Sequence, residues 1–168
     1  MTEILNLIRH AMQAERDGYY HYHTAAQRTD DAQAREVFQK LASDELAHHK
    51  MLEETHAAYE KMGRDAVLPA IAGGPTVDLS APSPIFSPEF KERIKDKHFE
   101  MSALSIGMTL EQNGIHFYRD LAAKAAHPEL KKLLEFLAQW EESHLEALSK
   151  QIKYLQEDYW AEARFSPF

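Results

Sequence analysis

The chain has 168 residues, 44% of them hydrophobic and 27% charged, with a net charge of −8 and no cysteine. That length suits one domain with a sizeable core, and the acidic balance speaks against a nucleic-acid partner. The missing cysteines exclude disulfides, zinc ribbons and thiolate-held iron–sulfur clusters.

The opening stretch MTEILNLIRHAMQAERDG interleaves apolar and charged residues at helical spacing, so it has no signal-peptide layout. No segment reaches the length of a membrane span. With no thiols to protect, the expectation is a cytoplasmic protein with no membrane partner.

The first predicted helix runs from about Thr2 to Gln27, where Ile4, Ile8, Ala11, Gly18, Tyr22 and Ala25 recur at three- and four-residue spacing. Thr29-Asp30-Asp31 makes a short turn, and Asp30 or Asp31 caps the next helix by accepting its free amide hydrogens. Helix two extends to about Met62, with Val37, Phe38, Leu41 and Leu52 facing inward and Gly63 as its stop. A proline-rich segment follows, reading PAIAGGPTVDLSAPSPIFSP over residues 69–88. Proline and glycine interrupt helix, so residues 63–87 are predicted to be a crossover from one end of a bundle to the other. Ser87-Pro88-Glu89 opens helix three, which reaches about Ala126 with a break near residues 97–101. His127-Pro128 is a tight connection into helix four, which ends near Asp158. Residues 159–168 form an aromatic tail. Its Tyr159, Trp160, Phe165 and Phe168 need the bundle or a neighbouring subunit to cover them. Two short turns around one long crossover predict an all-α four-helix bundle, a single domain over residues 1–158.

The two predicted hairpins repeat one another. A shift of 96 positions carries Glu15 to Glu111, Gly18 to Gly114, Tyr22 to Tyr118, Leu41 to Leu137, Glu45 to Glu141 and His48 to His144. No gap is needed, so pseudo-twofold symmetry is expected. Most charges are not carried over. Asp44 falls on Trp140 and Lys40 on Phe136, which reads both as ordinary surface charges.

The polar residues that do repeat lie on apolar stripes. Glu and His three residues apart share one helix face. Glu45-x-x-His48 and Glu141-x-x-His144 therefore aim one oxygen and one nitrogen donor each at the core, and Glu15 and Glu111 add two more carboxylates. Four buried carboxylates repel one another and lose their hydration unless protons or cations join them. No lysine or arginine shares these stripes, whereas two divalent metals would balance the charge. Carboxylate and imidazole donors suit iron or manganese. Tyr22 and Tyr118 each follow a repeated Glu by two turns, so each phenol should donate to a site carboxylate from within the core. Glu53-x-x-His56 has no counterpart under the shift and reads as solvated surface. Glu100 is a weaker candidate for an accessory ligand.

The doubled pattern Glu…Tyr…Glu-x-x-His, over roughly residues 8–60 and 100–156, resembles the ferritin-like di-iron proteins, and most closely the rubrerythrin branch. The resemblance implies that Glu45 and Glu141 bridge two iron ions. Glu15 and Glu111 would be terminal ligands, and His48 and His144 would complete the two spheres. It also implies reduction of peroxide or dioxygen at the metal pair. Gly114 stands where rubrerythrins usually carry a further Glu, and the Cys-rich rubredoxin module is missing, so electrons must come from an external donor. Leu46 replaces the haem-ligating Met of bacterioferritins, so no haem is expected there. The expected assembly is a homodimer or larger homo-oligomer. Two other functions share the same residues: a ferroxidase or iron-storage subunit, and a metal-binding protein without turnover.

Overall fold

A computed structural model describes residues 2–68, 70–90 and 98–162. Four helices account for most of them: α1 (Thr2–Arg28), α2 (Ala32–Met62), α3 (His98–Lys124) and α4 (Pro128–Glu162). There are no strands among the described residues. α1 packs along α2 and α3 along α4, and the two hairpins meet chiefly through α1 and α3. This is the expected all-α four-helix bundle. No described helix is long and apolar enough to cross a membrane.

The helix ends follow from local chemistry. Of the two candidate caps, Asp31 takes the role, its Oδ1 accepting the Ala34 amide at 2.8 Å. Gly63 ends α2 at φ 60°, a left-handed conformation that glycine adopts without a Cβ clash. Pro128 opens α4, where its missing amide hydrogen costs nothing. α4 continues to Glu162, past its expected end near Asp158. The tail aromatics Tyr159, Trp160, Phe165 and Phe168 lie outside the residues whose side chains are described. At Ser87-Pro88, the expected start of helix three, the described residues 88–90 are 3-10 rather than α-helix. There the Phe90 amide donates to the Ser87 carbonyl at 3.1 Å. The expected continuation through residues 91–97 lies outside the described residues, and α3 is helical from His98.

The crossover is fastened to the bundle. Ile85, Phe86 and Phe90 are fully buried and pack with Phe38, Leu104 and Leu148. Their backbone polarity is met by side chains. Gln151 Oε1 accepts the amides of Ile85 and Phe86, both at 2.9 Å, and Gln33 donates to the Ser83 and Phe86 carbonyls. Asp31 also receives the Ser87 hydroxyl, so one carboxylate caps α2 and anchors the end of the loop. Buried backbone groups need such partners, which is how a proline-rich segment can line a core.

The apolar core forms two clusters. One holds Ile8, Ala11, Leu52, Tyr118, Leu134 and Leu137, and the other Tyr22, Phe38, Leu41, Leu104 and Leu148. Along α1 the clusters are separated at Glu15, along α2 at Glu45 and His48, and along α4 at Glu141 and His144. The polar residues thus occupy the waist of the bundle, with apolar packing above and below.

Candidate metal centre

The six repeated residues meet at this waist. Glu15, Glu45, Glu111 and Glu141 are 3 to 4% exposed, and His48 and His144 are fully buried. Their donor atoms fall into two groups, Glu15–Glu45–His48–Glu141 and Glu45–Glu111–Glu141–His144, with the atoms of each group within 4.8 Å of one another. Glu45 and Glu141 belong to both. Each imidazole turns Nδ1 inward. Nδ1 of His48 lies 3.1 Å from Glu15 and 3.0 Å from Glu141, and Nδ1 of His144 lies 3.1 Å from Glu141 and 3.6 Å from Glu111. The two rings stack with centroids 5.9 Å apart. This convergence rests on helix geometry, since each Glu-x-x-His places both donors on one face one turn apart.

The tyrosines reach across between hairpins. The Tyr22 hydroxyl on α1 donates to Glu111 Oε1 on α3, and the Tyr118 hydroxyl on α3 donates to Glu15 Oε1 on α1. Burial raises both phenols well above their usual pKa, and the neighbouring carboxylates raise them further, so both remain protonated donors. Tyr22→Phe leaves a buried carboxylate oxygen without its donor. The expected cost is about 1–3 kcal/mol in chemical denaturation of the metal-free protein, against less than about 0.5 kcal/mol for Tyr20→Phe on the surface.

Without metal, protons offset the repulsion. Burial raises Glu45 well above the carboxylate range, and Glu141, Glu15 and Glu111 add to it. Burial and Glu141 push Glu111 up to about 8, against the pull of His144. Burial pulls His48 down, but Glu141 and Glu15 outweigh it and carry the imidazole up to about 10. His144 rises likewise, as Glu111 and Asp44 overcome its burial. Glu141 goes the other way. Burial opposes its charge, yet His48 and His144 hold it well below its usual pKa.

The donor set fits a pair of metal ions. Four carboxylates and two imidazoles supply oxygen and nitrogen ligands only, a mixture suited to iron or manganese. Among these donors Glu45 Oε1 is buried without a hydrogen-bond partner. Other candidates stay outside. Glu100 is buried but belongs to neither group, Glu53 is exposed and His56 is half-buried.

One residue was misjudged from the sequence. Asp44 is 3% exposed, not a surface charge. It accepts the Trp140 indole N–H at 3.2 Å and lies 3.0 Å from His144 Nε2. Thr76 of the crossover donates to it through both hydroxyl and amide. A one-residue step from Glu45 turns a side chain about 100° around the helix. Asp44 therefore faces α4 and the loop, and neither neighbour is visible in the local pattern. Its sequence signal is that the shifted position holds Trp140, a residue type that is highly buried on average.

A cavity of about 370 Å³ opens between α1 and α3 onto Glu15, Glu45, Glu111 and Glu141, walled by Ala14, Leu110 and Phe117. Gly18 and Gly114 line it at equivalent positions but are not equally replaceable. A Cβ on Gly18 would sit 2.9 Å from Glu45 Oε2, whereas one on Gly114 would meet Glu141 Cγ at an ordinary 3.6 Å. Gly18→Ala should displace Glu45 and weaken metal binding by about tenfold or more, read by competition with a coloured chelator. Gly114→Ala should bind metal normally and gain about 0.5–1 kcal/mol of helix stability.

Residues 78–152 match the Rubrerythrin family model, a span that takes in the end of the crossover, α3 and most of α4. The second hairpin is thus similar to that of rubrerythrins. A hypothetical protein from Pyrococcus furiosus has a similar structure, with a TM-score of 0.65 over 92% of this chain and 90% of that one. At 21% identity that likeness establishes the shared fold alone. No curated protein matches the chain.

Proposed function

We propose that this chain, with its rubrerythrin-like second hairpin, is a non-haem di-iron oxidoreductase that reduces peroxide or dioxygen. The observation that carries the reading is the pair of four-residue donor groups sharing Glu45 and Glu141. In this reading Glu45 and Glu141 would help hold both ions, with Glu15 and His48 serving one and Glu111 and His144 the other. Two bound ferrous ions would supply two electrons, enough with two protons to cleave the O–O bond of a peroxide to water or to reduce dioxygen to peroxide. Tyr22 and Tyr118 hold the terminal carboxylates in place through their hydroxyls. The cavity between α1 and α3 admits the oxidant to the carboxylate face, while the apolar clusters exclude water from the other sides.

In this reading the electrons that restore the metal pair come from an external donor. Exposed Tyr20 and Ile106 line a second depression along α1 and α3 and suit that face to a homo-oligomeric contact.

The test is anaerobic loading with ferrous iron followed by peroxide. Consumption of one peroxide per two ferrous ions is expected, with sustained turnover once a reductant is supplied. A ferroxidase or storage subunit would instead go on taking up iron inside a many-subunit shell, which size-exclusion chromatography detects. Peroxide loss no faster than with free ferrous iron would overturn the enzymatic reading.

A further inference from the structure

The duplication gives both imidazoles the same inward nitrogen but not the same outer neighbour. A neutral imidazole has one N–H, so when Nδ1 offers its lone pair to a metal, the proton sits on Nε2. For His144 that outer nitrogen lies 3.0 Å from Asp44 Oδ2. For His48 the outer nitrogen is buried and has no hydrogen-bond partner. The Trp140 ring packs against the His48 ring at 82°, with centroids 4.6 Å apart. Asp44 and Trp140 are equivalent under the 96-residue shift, and the two touch each other. One pseudo-equivalent position therefore offers a carboxylate to one imidazole, and the other offers an indole.

The crossover explains why the symmetry breaks here. Thr76 grips Asp44 through its amide at 3.3 Å and its hydroxyl at 3.0 and 3.1 Å. The loop occurs once in a chain whose hairpins occur twice, so it can brace only one of the two positions. Gly73 lies on the same stretch with φ 91°, and a Cβ there would sit 2.9 Å from the Trp140 ring. The loop backbone thus closes over Asp44 and Trp140 together. An outer-sphere carboxylate fixes the ring orientation and tautomer of a metal-binding His and strengthens it as a ligand.

We propose that Asp44 is a positioning residue that makes the two metal positions unequal, the His144 position binding tightly and the His48 position weakly. This rests on the reading of the site as a two-metal centre. It goes beyond that reading by assigning an order of filling and the residue that sets it.

The test is titration of the full metal-free chain with Co²⁺ alone, followed by calorimetry and by the visible absorption of bound cobalt. The unmodified protein should bind two ions in steps that differ about 10- to 100-fold in affinity. His48→Ala should keep the tight step and His144→Ala should lose it. Asp44→Leu removes the acceptor and should weaken the tight step about 10- to 100-fold, leaving the weak step in place. Asp44→Asn keeps an oxygen facing Nε2 without the charge and should fall between Asp44→Leu and the unmodified protein. If Asp44→Leu does not fold, Asp44→Asn and the two histidine variants still decide the matter. A residue that only braced the loop would lower thermal stability and leave the ratio of the two steps unchanged. Two equal steps in the unmodified protein, or an Asp44→Asn variant in which both steps shift alike or neither shifts, would overturn the inference. Absence of any cobalt binding would instead defeat the two-metal reading.

Discussion

Replacing Glu45 and Glu141 together with alanine is expected to abolish metal binding, taking the chain from about two ions to none by elemental analysis. Each four-residue donor group contains both of these carboxylates. The double replacement leaves Glu15 with His48 and Glu111 with His144, two donors for each ion. Two donors from separate helices do not hold a labile divalent ion against water. Either single replacement leaves three donors at each position, so weakened but detectable binding is expected from Glu45→Ala or Glu141→Ala alone. Glu53→Ala is the control, because Glu53 is exposed and stands outside both groups. Circular dichroism should show the double variant still helical, since the apolar clusters on either side of the waist remain intact. Full occupancy in a folded double variant would refute the assignment of the site.

The second large effect is a reversal of pH dependence when metal binds. In the metal-free protein Glu111 is pushed up to about 8 from 4.5, and His48 up to about 10 from 6.5. Glu45 and His144 shift in the same direction. Each of these groups holds more protons folded than unfolded between its two pKa values, so its contribution to stability falls as pH rises through that window. For Glu111 the window is roughly pH 4.5 to 8, and for His48 roughly 6.5 to 10. Glu141 has the opposite sign. Its depressed pKa contributes stability above pH 4.5 that is lost only in stronger acid. The thermal midpoint of the metal-free protein should therefore fall between pH 6.5 and pH 10. Metal competes with these protons, so its affinity should rise over the same range. At a thousandfold excess over the dissociation constant, bound metal adds about 4.1 kcal/mol, or roughly 8–16 °C for a domain of this size. Scanning calorimetry with and without Mn²⁺, and again after chelator, reads both trends. A metal-free midpoint that climbs from pH 6.5 to pH 10 would contradict the proton-filled waist.

Much of this site can be read in the sequence because its signals are local or repeated. The three-and-four spacing of Ile8, Ala11, Glu15, Gly18 and Tyr22 puts Glu15 on the buried stripe before any fold is known. The same holds for Glu45 and His48 between Leu41 and Leu52. The duplication then separates required polar positions from incidental ones, since Glu53 and His56 find no echo. That filter also concealed Asp44. Its shifted partner is Trp140, so it was set aside with surface charges although it is buried beside His144. A test for repetition finds what two halves share and discards what makes them differ.

The sequence alone determined the course of the helices, the stop at Gly63, the four-helix class and the six residues that gather at the waist, and it narrowed the α2 cap to Asp30 or Asp31. Each depends on backbone periodicity, on a turn of a few residues or on a register internal to the chain. The tertiary structure decided which carboxylate each tyrosine holds, why Gly18 is less replaceable than Gly114, and how the crossover buries Ile85, Phe86 and Phe90. It also placed Asp44, braced by Thr76, behind His144, and set Trp140 against His48, whose outer nitrogen has no acceptor. These are contacts between residues far apart in the chain. They are set by how helices and loop pack in three dimensions, and the loop, present once, breaks the symmetry of the duplicated hairpins.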